Sequence, residues 1–396
     1  MRSTAVQSLV VSGRTELIGS LWPVRTLIGV MLTNARLIGD GEVRVGWLEI
    51  EDGQVVASGD GMQDGLDLGG RYVAPGFVDM HVHGGGGAAF TDNPNTVVEF
   101  HRRHGTTTCL ASLVTASISE LVGQVVALAP LVESGLVAGV HLEGPFLAAA
   151  RRGAHDPDLL RAPDTASVAA LLDAGRGTVR MVTIAPELPG ALDAIALIVD
   201  RGAVAAIGHT DATYDEACAG LAAGATVGTH LFNAMRPLHH REPGVIFSLL
   251  ESDVTCELVV DNVHIHPALA AWVMRVAAGR IALITDAIAA AGVGDGAYLL
   301  GGLEVTVNVG VARLTYGGSI AGSTLTQDVA LRNAVSAGVP LPDAVAALTV
   351  VPARALGLPA GTLEPGRRAD LVVLSEGLQV DGVMAGGSWI AQEFLV

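Results

Sequence analysis

Eight apolar stretches of strand length recur through the middle of this chain, and each ends in a polar or ionisable residue: His83, Ser112, Glu143, Glu187, His209, Asn233, Asn262 and Asp286. Amphipathic stretches of helical period lie between them, such as Thr96–His104 and Asp211–Ala223. Strand and helix alternating in this way over roughly 280 residues match the size of a (β/α)8 barrel. A doubly wound sheet, the competing α/β arrangement, gathers ligands at one switch point rather than at many strand ends. The reading is therefore α/β with a TIM-like barrel. After Asp286 a strand-like insertion runs from Tyr298 to Tyr316, followed by a helix beginning near Ser323 that is amphipathic through Val329, Asn333 and Val335.

The two ends of the chain have a different texture. From Met31 to about Ala74 short alternating strands are separated by turns such as Asp40-Gly41 and Asp52-Gly53. The C-terminal segment repeats this, with GTLEPG, then ADLVVL, then a hairpin at Ala385-Gly386-Gly387. A small β-sandwich domain built from residues 31–76 and 356–396 is expected, with the barrel over 77–355. Residues 1–30 read as an extension in which Arg14, Glu16 and Arg25 interrupt any signal-peptide core.

Composition removes several kinds of chemistry. All 23 basic residues are Arg, and there is no Lys. Schiff-base chemistry, a Walker-type phosphate site and a carboxylated-Lys metal bridge are thereby excluded. An anionic ligand must be held by Arg, His and backbone N–H groups. The net charge of −17 argues against nucleic-acid and anionic-membrane surfaces. The longest uncharged stretch, Ala217 to Met235, contains several Gly and His230, and it reads as a helix end, a turn and a buried strand. Three widely spaced cysteines, Cys109, Cys218 and Cys256, fit a cytoplasmic protein without a disulfide framework.

The strand ends carry the ionisable groups. The first ends in His81-Val82-His83, the third in His141-Leu142-Glu143, the fifth in His209, the sixth in His230 and the eighth in Asp286. A lone His at such a place is ordinarily a hydrogen-bonded core or loop residue. Alternation, however, puts His81 and His83 on one face, and a barrel would converge all of these groups at one mouth. Imidazole and carboxylate together suit Zn²⁺ or Fe²⁺. His101, His104, His141, His239, His240 and His266 have nothing to recommend them and are read as structural or solvated.

From Met31 onward the chain resembles the N-acetylglucosamine-6-phosphate deacetylases of the amidohydrolase superfamily. The resemblance is carried by PGFVDMHVHGGGG, HLEGPF with RRGAHDP, IGHTDAT, THLFNAMRPLHHREPG, LVVDNVHIHP, LITDAIAAAG, AGSTLTQDVALRN and GRRADLVVL. It implies that Glu143, His209 and His230 are the primary metal ligands, with His81, His83, Glu143 and Asp286 able to hold a second ion, so one or two divalent metals per subunit, Zn or Fe. It implies Asp286 as the catalytic acid/base and His155 as the contact to the acetamido carbonyl. Ala154, Asn233, Ala234, Asp261, Ile320, Ala321 and Gly322 would line the substrate pocket. Arg241 would bind the phosphate, with His264 entering from the neighbouring subunit of a homodimer. An N-acetylgalactosamine-6-phosphate deacetylase and a non-catalytic sugar-phosphate-binding barrel are the alternatives.

Overall fold

The computed structural model describes residues 29–39 and 41–392. The expected extension therefore lies outside the described residues except for Gly29 and Val30, and Val30 already opens the first strand.

Strands from both ends of the chain meet in one sheet. Val30–Gly39 pairs antiparallel with Glu42–Glu51, which pairs with Gln54–Asp60. On its other side Val30–Gly39 runs parallel to Tyr72–Pro75, which bonds to the C-terminal strands Leu371–Leu374, Val380–Ala385 and Ser388–Gln392 in turn. The two-residue period of a strand decides what each face does. Leu37, Val73, Leu371 and Val373 enter a core belonging to this sheet. Their neighbours Ile38, Ala74, Val372 and Leu374 join the core of the barrel.

The barrel comprises eight parallel strands in chain order: Phe77–Asp79, Thr106–Val114, Gly139–Glu143, Val179–Ile184, Val204–Ile207, Val227–Gly228, Thr255–Leu258 and Ile281–Leu283. They are rich in Val, Ile, Leu and Ala because both faces are covered. The seam between the eighth strand and the first is sealed by a side chain. Asp79 is fully buried and accepts bonds from the Thr285 hydroxyl at 2.6 Å, the Thr285 N–H at 3.3 Å and the His81 N–H at 3.3 Å. Just beyond, the Asp286 N–H donates to the His81 carbonyl at 2.9 Å.

Several strands stop short of the residues expected to end them. The first ends at Asp79, the fifth at Ile207, the sixth at Gly228 and the eighth at Leu283, so His81, His83, His209, His230, Asn233 and Asp286 lie on the turns beyond. The cause is local: His209, His230 and Asp286 have φ of 47°, 25° and 50°, a left-handed backbone that cannot continue a ladder.

Helix boundaries shift for reasons of capping. The helix expected over Thr96–His104 spans Pro94–Arg103, with Asn93 as its cap and Pro94 at its first position. That over Asp211–Ala223 spans Tyr214–Ala222, where Thr213 and Glu216 form a capping box. The helix expected near Ser323 begins at Gln327, since the Ser323 N–H is taken by the Asp286 carbonyl at 2.7 Å. The insertion is a three-stranded antiparallel sheet, Gly296–Leu300, Leu303–Asn308 and Val311–Leu314.

Replacing Asp79 with Ala would strip three buried donors of their acceptor. We expect a loss of about 2–4 kcal/mol of stability, read as a lower denaturation midpoint with unchanged slope in urea.

Candidate metal centre and substrate cavity

Glu143 ends the third strand and stands between two groups of imidazoles. Its Oε1 lies 3.1 Å from His209 Nε2 and 3.0 Å from His230 Nε2, and these two nitrogens are 3.0 Å apart. On the other side Glu143 Oε2 lies 3.2 Å from His83 Nε2, which is 3.2 Å from Asp286 Oδ1 and 3.1 Å from His81 Nε2. Glycines allow the close approach. A Cβ on Gly322, at φ 59°, would sit 2.7 Å from the Asp286 carbonyl oxygen, and one on Gly208 would sit 2.6 Å from Thr229.

These residues fit a divalent cation. Ligand bonds of about 2.0–2.2 Å place donor atoms roughly 3.0–3.5 Å apart, as here. The remaining ring nitrogens of three of the imidazoles point the same way, whereas His230 Nδ1 is buried without a hydrogen-bond partner. His209 Nδ1–H donates to the Arg151 carbonyl at 2.9 Å, His83 Nδ1–H to the Ser112 carbonyl at 3.3 Å, and His81 Nδ1–H to the Glu257 carboxylate at 2.9 Å. Each bond leaves an Nε2 lone pair facing the centre, the usual support of a ligating imidazole.

His155 differs. Its Nε2 is 3.5 Å from Glu143, and the potential ligand atoms of Glu143, His155 and His209 lie within 4.8 Å of one another. Yet its Nδ1 is the acceptor for the Thr115 N–H at 3.4 Å and lies 2.8 Å from the Thr115 hydroxyl. The proton is thereby placed on Nε2, which faces the cavity as a donor rather than as a ligand.

Without a cation, protons on imidazoles balance the carboxylates. Burial alone would lower the His83 pKa, but its bonds to Asp286 and Glu143 prevail and raise it to about 9. His81 is likewise raised against burial by the charges of Glu143, Glu257 and Asp286. Burial would raise Asp286, but the charge of His81 and the bond to His83 hold it well below the ordinary carboxylate range. Burial and the neighbouring His155 lower His209 to about 4.

Above the cluster lies a cavity of about 310 Å³. Of the residues expected to line it, Ala154, His155, Asn233, Ala234, Ile320 and Gly322 do so, alongside His83, Glu143, His209, His230 and Asp286. Four expected groups lie elsewhere. His81 is sealed beneath the wall, Ala321 is packed into the core under the insertion, Arg241 is exposed beside His240, and Asp261 stands behind His264. His264 also lines the cavity of its own chain. The Asp261 carboxylate accepts from its Nδ1 at 2.7 Å and from its N–H at 2.8 Å, which fixes the ring.

Sequence reasoning missed Thr115, Asp79 and Glu257. The last two carried a usable signal, a carboxylate within a short apolar strand that must be paired when buried. The His residues set aside do have structural work. His101 Nε2–H donates to the Gly84 carbonyl at 2.9 Å and holds the glycine-rich turn after His83. His141 bridges the Ser112 and Thr183 hydroxyls, 2.9 Å from each, across the barrel interior.

The class so defined is a parallel (β/α)8 barrel with an imidazole–carboxylate cation site at the C-terminal mouth of its strands. The amidohydrolase family model matches residues 72–390, and the chain belongs to that family. It is 36% identical over 359 residues to the N-acetylgalactosamine-6-phosphate deacetylase of Escherichia coli O157:H7, covering 86% of this chain and 95% of that one. It is 37% identical over 350 residues to the human N-acetylglucosamine-6-phosphate deacetylase, covering 82% and 85%. Among solved structures, a variant of the N-acetyl-D-glucosamine-6-phosphate deacetylase of Mycobacterium smegmatis in complex with N-acetyl-D-glucosamine-6-phosphate superposes with a TM-score of 0.90 at 50% identity. That match covers 92% of this chain and all of the other. Family membership and the two ligand clusters together suggest a divalent metal.

Cation binding must displace the protons on His81 and His83, both raised above neutrality in the cation-free chain. Zinc uptake at pH 7 should therefore release protons, with affinity rising as pH approaches 9. Titration calorimetry in buffers of different ionisation enthalpy measures this; a heat independent of buffer contradicts it.

Proposed function

We propose that this chain hydrolyses the acetamido group of N-acetyl-D-glucosamine 6-phosphate, yielding glucosamine 6-phosphate and acetate. The observation that carries the reading is that Asp286 and the Nε2–H of His155 line one cavity wall together with Glu143 and the ligand imidazoles. The 50% identical relative, whose structure contains the same sugar phosphate, supports it.

Glu143, His209 and His230 would hold the primary ion, and His81, His83 and Asp286 a second, with Zn²⁺ or Fe²⁺ the ions suited to this donor set. A divalent ion bound there supplies Lewis acidity toward the amide carbonyl and makes water a stronger acid. The chain's own groups do the rest. Asp286, held ionised, accepts the proton of the attacking water and returns it to the departing amine as the C–N bond breaks. His155 donates its Nε2–H to the carbonyl oxygen as negative charge gathers there, worth about 3–4 kcal/mol in comparable oxyanion sites. Thr115 keeps that proton in place.

With no Lys, phosphate recognition rests on Arg241 and His264. His264 lines its own cavity, whereas Arg241 is exposed and absent from that wall. We therefore assign a homodimer in which the Arg241 loop, flanked by the exposed Leu238 and Phe247, serves the partner's cavity. The three cysteines are free, and among the described residues no helix is long and apolar enough to cross a membrane. A cytoplasmic enzyme of amino-sugar breakdown fits both facts. The galacto epimer is the second reading, favoured by the E. coli relative.

Acetate release from the two N-acetylhexosamine 6-phosphates tests the assignment; faster turnover of the galacto sugar transfers it to the epimer, and no release from either removes it. Asp286→Asn should retain metal at Glu143, His209 and His230 while losing roughly a hundred- to ten-thousand-fold in kcat. Mixing inactive Arg241→Ala and His264→Ala chains should restore activity in hybrid dimers, where one site is intact. Verified hybrids with no recovery mean that each site is built from one chain.

A further inference from the structure

The three tethered imidazoles of the centre are not held alike. His209 and His83 donate their Nδ1–H to neutral backbone carbonyls, of Arg151 and Ser112. His81 alone donates to a carboxylate, Oε2 of Glu257, at 2.9 Å. Glu257 comes from the seventh barrel strand, Thr255–Leu258, and is completely buried. The same oxygen accepts the His230 N–H at 3.2 Å, so one carboxylate touches both ligand clusters. Its other oxygen, Oε1, has no partner in the protein.

A buried carboxylate with one oxygen unbonded is costly unless positive charge lies close by. Among the described residues no Arg is buried, so imidazoles and a bound cation are what remains to offset it. Glu143, Glu257 and Asp286 are all buried around these imidazoles.

We infer that Glu257 is a positioning residue for the second metal site. It rests on the deacetylase reading only in taking the centre to be a metal site. Glu257 fixes the proton of His81 on Nδ1, turns the Nε2 lone pair toward His83 and Asp286, and places a carboxylate behind the ring. The His81/His83/Asp286 half thereby gains affinity that a carbonyl acceptor would not give. Through the His230 N–H it also ties the two halves together, so the first ion's ligand His230 keeps its place whether or not the second ion is bound.

The test is a metal titration of the full-length apo-protein, with Co²⁺ followed by its visible spectrum and Zn²⁺ counted by mass spectrometry after equilibrium dialysis. The wild type should take two equivalents. Glu257→Gln, which keeps the shape and one acceptor oxygen, should take the first with unchanged affinity and bind the second about ten- to a hundred-fold more weakly. Two equivalents of unchanged affinity in the variant, or a single equivalent in the wild type, overturn the inference and leave the deacetylase reading intact. A wild type that holds no cation at all counts against that reading instead. Should Glu257→Gln not fold, ¹⁵N imidazole spectra of zinc-loaded wild type decide: the His81 proton must be on Nδ1, and a proton on Nε2 overturns the assignment.

Discussion

The mutual approach of four imidazoles and two carboxylates at the mouth of the barrel is the constraint on which the rest depends. Donor atoms 3.0–3.2 Å apart in a buried space repel unless protons or a cation lie between them. The fold accepts further cost to hold them there. His209, His230 and Asp286 all have left-handed backbones, each worth about 1–3 kcal/mol of strain for a non-glycine residue. Neighbouring loops hold these turns in place: the His209 carbonyl accepts the Ala148 N–H at 2.9 Å, and the Asp286 carbonyl accepts the Ser323 N–H at 2.7 Å. A site that needs this much support is one that a bound ion stabilises further, by removing the repulsion that the strain opposes.

The same arrangement separates roles among chemically identical side chains. Five imidazoles surround Glu143, and in four of them the atom bonded to Nδ1 sets the role, while His230 Nδ1 has no hydrogen-bond partner. A carbonyl or carboxylate acceptor leaves Nε2 of His83, His209 or His81 free to serve as a ligand; the Thr115 N–H leaves His155 Nε2 a donor. The proton placement in this centre therefore depends on residues that do not line its cavity. Thr115 lies at the end of the second strand and Glu257 in the seventh, so the distinction requires the closed barrel and not only the loops above it.

Much of the fold was legible because its signals are periodic. Alternating apolar strands and amphipathic helices, with ionisable groups at successive strand ends, lead to a barrel and its mouth. The convergence of Glu143, His209, His230, His81, His83 and Asp286 follows from that topology. What escaped was whatever depends on a contact between distant strands. Nothing near Thr115 in the sequence marks it as the partner of His155, forty residues on. Strand ends were placed too late because a left-handed turn at His or Asp has no compositional mark, whereas glycine at such a turn does. The bond from His264 to Asp261 spans three residues but fixes a rotamer, which periodicity does not describe.

The absence of Lys ties these observations together. Without it, and with no buried Arg among the described residues, the interior has only imidazole to set against Asp79, Glu143, Glu257 and Asp286. Asp79 escapes the problem by sharing three donors, and burial still pushes its pKa up to about 7. The others lie around the ligand nitrogens, and imidazole offsets them only by binding protons, which removes the lone pairs that a ligand needs. Protonated imidazoles and a bound metal are therefore mutually exclusive ways of balancing one charge cluster. Raising the pH favours the metal, since it withdraws the competing protons while the carboxylates stay ionised. The electrostatics that hold the centre together are thus the ones that give it affinity for a cation.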